Sequence, residues 1–250
     1  MTPIRTALLA LSLAAAPSLV FAADAAPAGL KDCPPFETLR QLEADKIAAK
    51  QLKPLDTPPT QPALHQELLA MMKRDQDARS NAAASAKANG GRPDQPFILA
   101  IFQADQDNSS RMRELVEAGQ FPSPKQVGRD GIRAAWLIAA HSERDPELQG
   151  KLLKLLEPLA KSGDLVPQDF ALLSDKISVA NGEPQRYGTQ FRAVGGINHP
   201  QPIADFDSLE ARRADAGMLT MREYGCLLQQ FHGIPVDLTP LTPAATTPAK

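Results

Sequence analysis

The chain has 250 residues, with 27 Lys and Arg against 29 Asp and Glu and a formal net charge of −2. A balance this even, with no run of like charges, offers no phosphate-tracking surface and excludes nucleic acid as a partner. The length suits one large domain or two small ones.

Arg5 is the only charged side chain in the first 22 residues. An apolar stretch follows at 7–16, Pro17 and Ser18 break it, and Val20-Phe21-Ala22 puts small or modest residues at the −3 and −1 positions. A basic start, a short apolar core and a small-residue cleavage site make the layout of a secretory signal peptide, here residues 1–22, with a second possible cut after Ala25. The apolar core of about 10 residues is half of the roughly 20 that span a bilayer, so no membrane span is expected after cleavage. The expected location is periplasmic or secreted. Cys33 and Cys226 are the only cysteines. In an oxidising compartment they can form a single bridge between the start of the mature chain and its last predicted helix; two separate buried thiols are the alternative.

Residues 23–62 read as an N-terminal segment with a short helix at about 36–52, where Leu39, Leu42 and Ile47 give a loose stripe. A linker at 53–62 follows, with four prolines that remove donors and restrict their predecessors. The folded body is expected over 63–234, and 235–250, rich in Thr, Pro and Ala without period, as a disordered tail. A long helix covers 63–88, with His65, Leu68, Leu69, Met72 and Gln76 on one face. A second covers 97–118, although the apolar run 97–102 alone also fits a buried strand. The third, at 127–142, holds Ala134-Ala135-Trp136-Leu137-Ile138-Ala139-Ala140, which covers nearly the whole helix circumference and marks a central element. Asp145-Pro146-Glu147 is an N-cap, a first-turn proline and a first-turn acid. It opens a fourth helix striped by Leu148, Leu152, Leu155, Leu156 and Leu159, which Pro158 ends or kinks. A fifth spans 167–179, with Phe170, Leu173 and Ile177 inward. Residues 187–204 alternate around Gly195-Gly196 as a small hairpin. Two more helices are signalled by the capping-box spacings Asp207/Glu210 and Thr220/Glu223. The fold class is mainly α: a compact bundle of six to seven helices with one hairpin.

No nucleophile elbow, Ser-x-x-Lys, His-Glu-x-x-His, Cys-x-x-Cys or phosphate loop occurs. His65, His141, His199 and His232 lie far apart without a His or Cys at ligand spacing, so neither a metal nor a cofactor is expected. Asp105-Gln106-Asp107-Asn108 resembles a calcium loop superficially but lacks the Gly and the terminal Glu.

Three groups of polar residues stand out. His141 ends the apolar third helix, about 20° from Asp130 on a helical wheel. It reads either as a cap at the helix C-terminus or a satisfied core histidine, or as a ligand contact or a general base oriented by Asp175 or Asp145. Asp75 and Arg79 have the i, i+4 order of a helix ion pair, solvated if that face is outward and an anion-binding pair if it turns inward. Gln185, Tyr187, Thr189 and Gln190 form the densest hydrogen-bonding cluster, either a structural network or a ligand pocket.

These same residues carry a resemblance. Asp75-Gln76-x-x-Arg79, Val127-Gly128, Ala135-Trp136-Leu137-Ile138 with His141, Gln149, Leu173-x-Asp175 and Gln185-x-Tyr187-Gly188-Thr189-Gln190 come in the order of a bacterial family, domain of unknown function 6624, over roughly residues 63–229. The resemblance implies domain limits and polar residues of interest, and no activity or cofactor. Two functions follow as expectations. One is a binding or interaction module of the cell envelope for a small molecule, a peptide or an envelope protein. The other is a hydrolase with His141 as base, Asp175 or Asp145 orienting it, and Arg79, Tyr187 and Gln190 on the substrate.

Overall fold

The computed structural model describes residues 29–50, 55 and 57–242. The expected signal peptide lies outside them, as does most of the first half of the proline-rich linker. Among the described residues the fold is eight helices and one two-stranded antiparallel hairpin. The helices are α1 (Phe36–Lys50), α2 (Pro62–Ala88), α3 (Gln95–Glu117), α4 (Pro124–His141), α5 (Pro146–Ser162), α6 (Pro167–Ala180), α7 (Leu209–Asp215) and α8 (Met221–His232). The hairpin pairs β1 (Phe191–Val194) with β2 (Ile197–Pro200) through Gly195-Gly196. No helix among the described residues is long and apolar enough to cross a membrane.

α4 is the centre. It contacts α2, α3, α5 and α6, and Ile132, Ala134, Ala135, Ile138 and Ala139 are buried on all its sides. Trp136 is 9% exposed and donates its indole N–H to the Asp169 carbonyl on α6 at 2.6 Å, which satisfies the one polar atom of a large apolar group. Small residues at 134, 135, 139 and 140 let four neighbours approach one helix closely.

α4 departs from helical geometry at Gly128, with φ 72° and ψ 170°. A Cβ there would stand 2.5 Å from Asp130 Oδ1, the end of a side chain that can move, so it is the backbone conformation that requires glycine. A single turn precedes the kink, in which Gln126 Oε1 accepts from the Ser123 backbone N–H. Ser123 and Gln126 have the capping-box spacing.

Some of these expectations hold in the structure and others change. The run 97–102 is helical, and Leu99 is 55% exposed, so no buried strand exists there. The inward stripe of α2 is Leu68, Met71, Asp75, Ala82 and Ser85, one position off the Leu69–Met72 face. α5 runs through Pro158 to Ser162. Pro158 and Lys154 are exposed, so the carbonyl that the proline cannot pair lies on the solvent side of the helix. Leu155, assigned to the apolar stripe, is 36% exposed. Asp145 caps α5 through Leu148 N–H, and Thr220 with Glu223 forms the capping box of α8. The Asp207/Glu210 box does not form; Glu210 accepts instead from the Met221 backbone. Residues 235–241, read as tail, run along β2, with backbone bonds from Asn198 to Pro235, Asp237 to Asn198 and Leu241 to Pro200. Val236 is buried there.

Cys33 and Cys226 form a disulfide across 193 residues of sequence. It fastens the segment bearing α1 to α8, where Leu39, Leu219, Cys226 and Leu227 make a small core apart from the main one. Reduction, or the double change Cys33→Ser and Cys226→Ser, is expected to remove about 2–4 kcal/mol of stability by releasing loop-closure entropy to the unfolded chain. Urea denaturation with and without reductant reads this as a fall in midpoint. An unmoved midpoint would mean that the contacts of Leu39 suffice.

Candidate functional site

α2 and α4 bring together two histidine–aspartate pairs in opposite sense. His65 Nε2 lies 2.9 Å from Asp130 Oδ2, and further along both helices His141 Nδ1 lies 2.7 Å from Asp75 Oδ1. The helices therefore run parallel, and at 1.5 Å rise per residue the pairs stand about 15 Å apart. The 20° offset of His141 from Asp130 means that both face α2. The first pair is at the surface, with the Asp130 side chain 59% exposed, and such a pair contributes little.

The second pair is different. Asp75 is 1% exposed, whereas the side chains of His141 and Arg79 are 22% and 29% exposed. Arg79 reaches from α2 to three groups at once. Its Nε lies 3.1 Å from His141 Nδ1, and its Nη2 lies 2.6 Å from Asp105 Oδ1 and 3.3 Å from Asp75 Oδ1. Gln76 Nε2 donates to Asp75 Oδ2 at 2.7 Å. The Asp75–Arg79 spacing thus forms an ion pair on a face that turns inward.

The two carboxylates are pushed apart in acidity. Burial would raise Asp75, but the His141 hydrogen bond and charge, then Arg79 and Gln76, prevail and hold it below its ordinary value. Burial does raise Asp105, because the opposing charges of Arg79 and His141 are offset in part by Asp75 and Glu143. Neighbouring carboxyls with divergent acidity mark candidate functional sites.

The end of α4 is held firmly, and with it His141. The last carbonyls of a helix have no partner within it. Here Ser142 Oγ donates to Ile138 O, Gln149 Nε2 to Ala139 O and Lys176 Nζ to Ala140 O. Lys176 also pairs with Glu143. At the rim the Arg144 guanidinium lies 3.8 Å from the centroid of the Phe102 ring.

Asp105 is the member that sequence reasoning missed. In the sequence it stands out only within Asp105-Gln106-Asp107-Asn108, the run that resembles a calcium loop. Its helical period was the available signal, since Asn108, Met112 and Leu115 at i+3, i+7 and i+10 are the buried residues of α3.

The remaining candidates do not join this cluster. Asp175 does not orient His141. It is fully buried on α6 and accepts from the backbone N–H groups of Arg186, Tyr187 and Thr189 and from the Thr189 hydroxyl. Burial raises its pKa against those hydrogen bonds. Asp145 is also occupied elsewhere, capping α5 and pairing with Arg113. Residues 187–190 are not strand; the three N–H groups gathered on one carboxylate bend them into a loop, with Gly188 at φ 70°. Gln185 is buried, its amide bridging the 190 and 201 carbonyls and accepting from Gln190 N–H. Gln190 donates to the Thr189 hydroxyl. The Tyr187 carbonyl accepts from buried Arg213. This second network uses most of its polar groups on itself, although Arg213 Nη2 is buried without a hydrogen-bond partner among the described residues. A groove of about 710 Å3 lies elsewhere again, among Leu30, Ile197, Phe206 and residues 236–240, and Asp237 is the one ionisable residue that lines it.

No curated protein and no solved structure matches the chain. Residues 62–237, which carry α2 to α8 and every residue of the cluster, match a family model. The chain belongs to the Family of unknown function (DUF6624).

Proposed function

We propose that this is an exported binding module of the cell envelope, taking a polar ligand at the Asp75–Arg79–Asp105–His141 cluster. One observation carries the reading: a carboxylate 1% exposed is spent on fixing one ring nitrogen of a histidine that reaches the surface. Among the described residues nothing hydrogen-bonds the other nitrogen, Nε2. Desolvating four ionisable groups together costs stability, and a ligand that meets Nε2 and the outer edge of Arg79 gives the arrangement a use. The disulfide fits an oxidising compartment, and the leader-like residues 1–22 supply the route.

A hydrolytic reading is favoured by the same 2.7 Å contact, since a histidine held at Nδ1 by a carboxylate presents Nε2 as a general base. Asp75 takes the orienting part first considered for Asp175 or Asp145, and water would be the nucleophile.

A thermal-shift screen of polar envelope metabolites and peptides on the mature protein tests both. The expected result is a ligand that raises the Tm of the wild type and leaves His141→Ala unmoved. Turnover of that ligand by the wild type selects the hydrolase; stoichiometric, unchanged ligand selects the binding module. A ligand that stabilises both forms equally would place the site elsewhere.

A further inference from the structure

His141 Nδ1 has contradictory partners. It stands 2.7 Å from an acceptor, Asp75 Oδ1, and 3.1 Å from a donor, Arg79 Nε, whose N–H points at it. Protonated, Nδ1 suits Asp75 and opposes the Arg79 N–H. Unprotonated, it suits Arg79 and sets two lone pairs against each other at 2.7 Å. With Asp75 ionised, no placement of protons on His141 satisfies both contacts. A cation shared by Nδ1 and Asp75 Oδ1 resolves the conflict once the Arg79 N–H has moved away, because both lone pairs then point at the ion.

The third donor is in place. One ligand atom each from Asp75, Asp105 and His141 lie within 4.8 Å of one another. The Arg79 guanidinium touches all three of these side chains, so the site already holds a cation belonging to the chain itself. We infer that Asp75, Asp105 and His141 form a binding site for a divalent transition-metal ion, and that Arg79 is the internal cation the ion displaces.

Two carboxylates and an imidazole suit zinc, manganese or iron better than calcium or magnesium, which favour oxygen alone. Bond lengths of about 2.0–2.2 Å to nitrogen and oxygen fit donors that already approach to 2.7 Å. Three protein ligands leave coordination positions open for water or for the polar ligand. Gln76 on Asp75 and the tied end of α4 behind His141 supply the outer support that metal ligands require. Displaced, Arg79 becomes free to meet an anionic group on that ligand. The sequence gives no warning of such a site because its ligands come from α2, α3 and α4.

This inference rests on the proposed binding site, and its test separates the two. The mature, disulfide-bonded protein is stripped with chelator and titrated calorimetrically with Zn2+, Mn2+ and Mg2+, with bound metal counted by elemental analysis. Zn2+ or Mn2+ is expected to bind at about one ion per chain, at least tenfold tighter than Mg2+. Asp105→Asn and His141→Ala, checked for native circular dichroism, should each weaken binding at least tenfold. Arg79→Ala should tighten it severalfold, because the competing cation is gone; a merely structural arginine would not give that sign. Absence of binding, binding indifferent to Asp105→Asn and His141→Ala, or weaker binding by Arg79→Ala overturns the metal site. A polar organic ligand that still stabilises stripped wild type, and not His141→Ala, would keep the binding module while removing the metal.

Discussion

Replacing Trp136 with alanine is expected to destabilise the protein by about 3–5 kcal/mol, the range for emptying a large aromatic from a core. α4 touches four other helices, and its small residues cannot collapse into the space that the indole leaves. The Asp169 carbonyl, which accepts from the indole at 2.6 Å, also loses its side-chain donor. Trp136→Phe separates these effects: it keeps most of the apolar volume, removes the hydrogen bond and should cost about 1–2 kcal/mol. Urea unfolding followed by far-ultraviolet circular dichroism measures both variants. An alanine variant within 1 kcal/mol of the wild type would remove α4 from the centre of the fold.

Asp175→Asn is expected to cost about 3 kcal/mol although it changes one atom. The carboxylate accepts from three backbone N–H groups and a hydroxyl. An amide turns one of the two acceptors into a donor, so at least one N–H of Arg186, Tyr187 or Thr189 meets another N–H. Each buried polar group left unpaired costs about 1–3 kcal/mol. The raised pKa of Asp175 shows that burying the charge is already unfavourable, so the gain from neutralising it partly offsets the loss. Hydrogen exchange is expected to accelerate at 186–189 well before global unfolding. Unchanged protection of those amides would sink the assignment of Asp175 as the organiser of this loop.

The helices were legible wherever their signals were local. Asp145-Pro146 and Thr220/Glu223 start helices by contacts within four residues, and the unbroken apolar run around Trp136 marks a helix surrounded by others. The register of α2 was harder. Past Met72 its apolar residues are alanines, so the pattern carries little contrast, and the inward face came out one residue from the observed Met71–Asp75 line. The pairing of the site was not legible at all. Asp75, Asp105, Asp145 and Asp175 lie on or against four different helices, and which carboxylate meets His141 depends on which helix packs beside α4. Chain spacing pointed to Asp145, with Asp175 as the alternative, whereas the parallel course of α2 decides for Asp75. Residues 185–190 were dense in hydrogen-bonding side chains because the backbone there turns sharply around a buried charge, which looks in sequence like a pocket.

The bond between Cys33 and Cys226 makes nearly the whole fold a covalent ring. Tension applied outside the two cysteines passes through the sulfurs and bypasses every helix from α1 to α7. A single peptide cleavage anywhere inside the ring opens it without separating the pieces, so a nicked molecule would migrate as one band until a thiol is added.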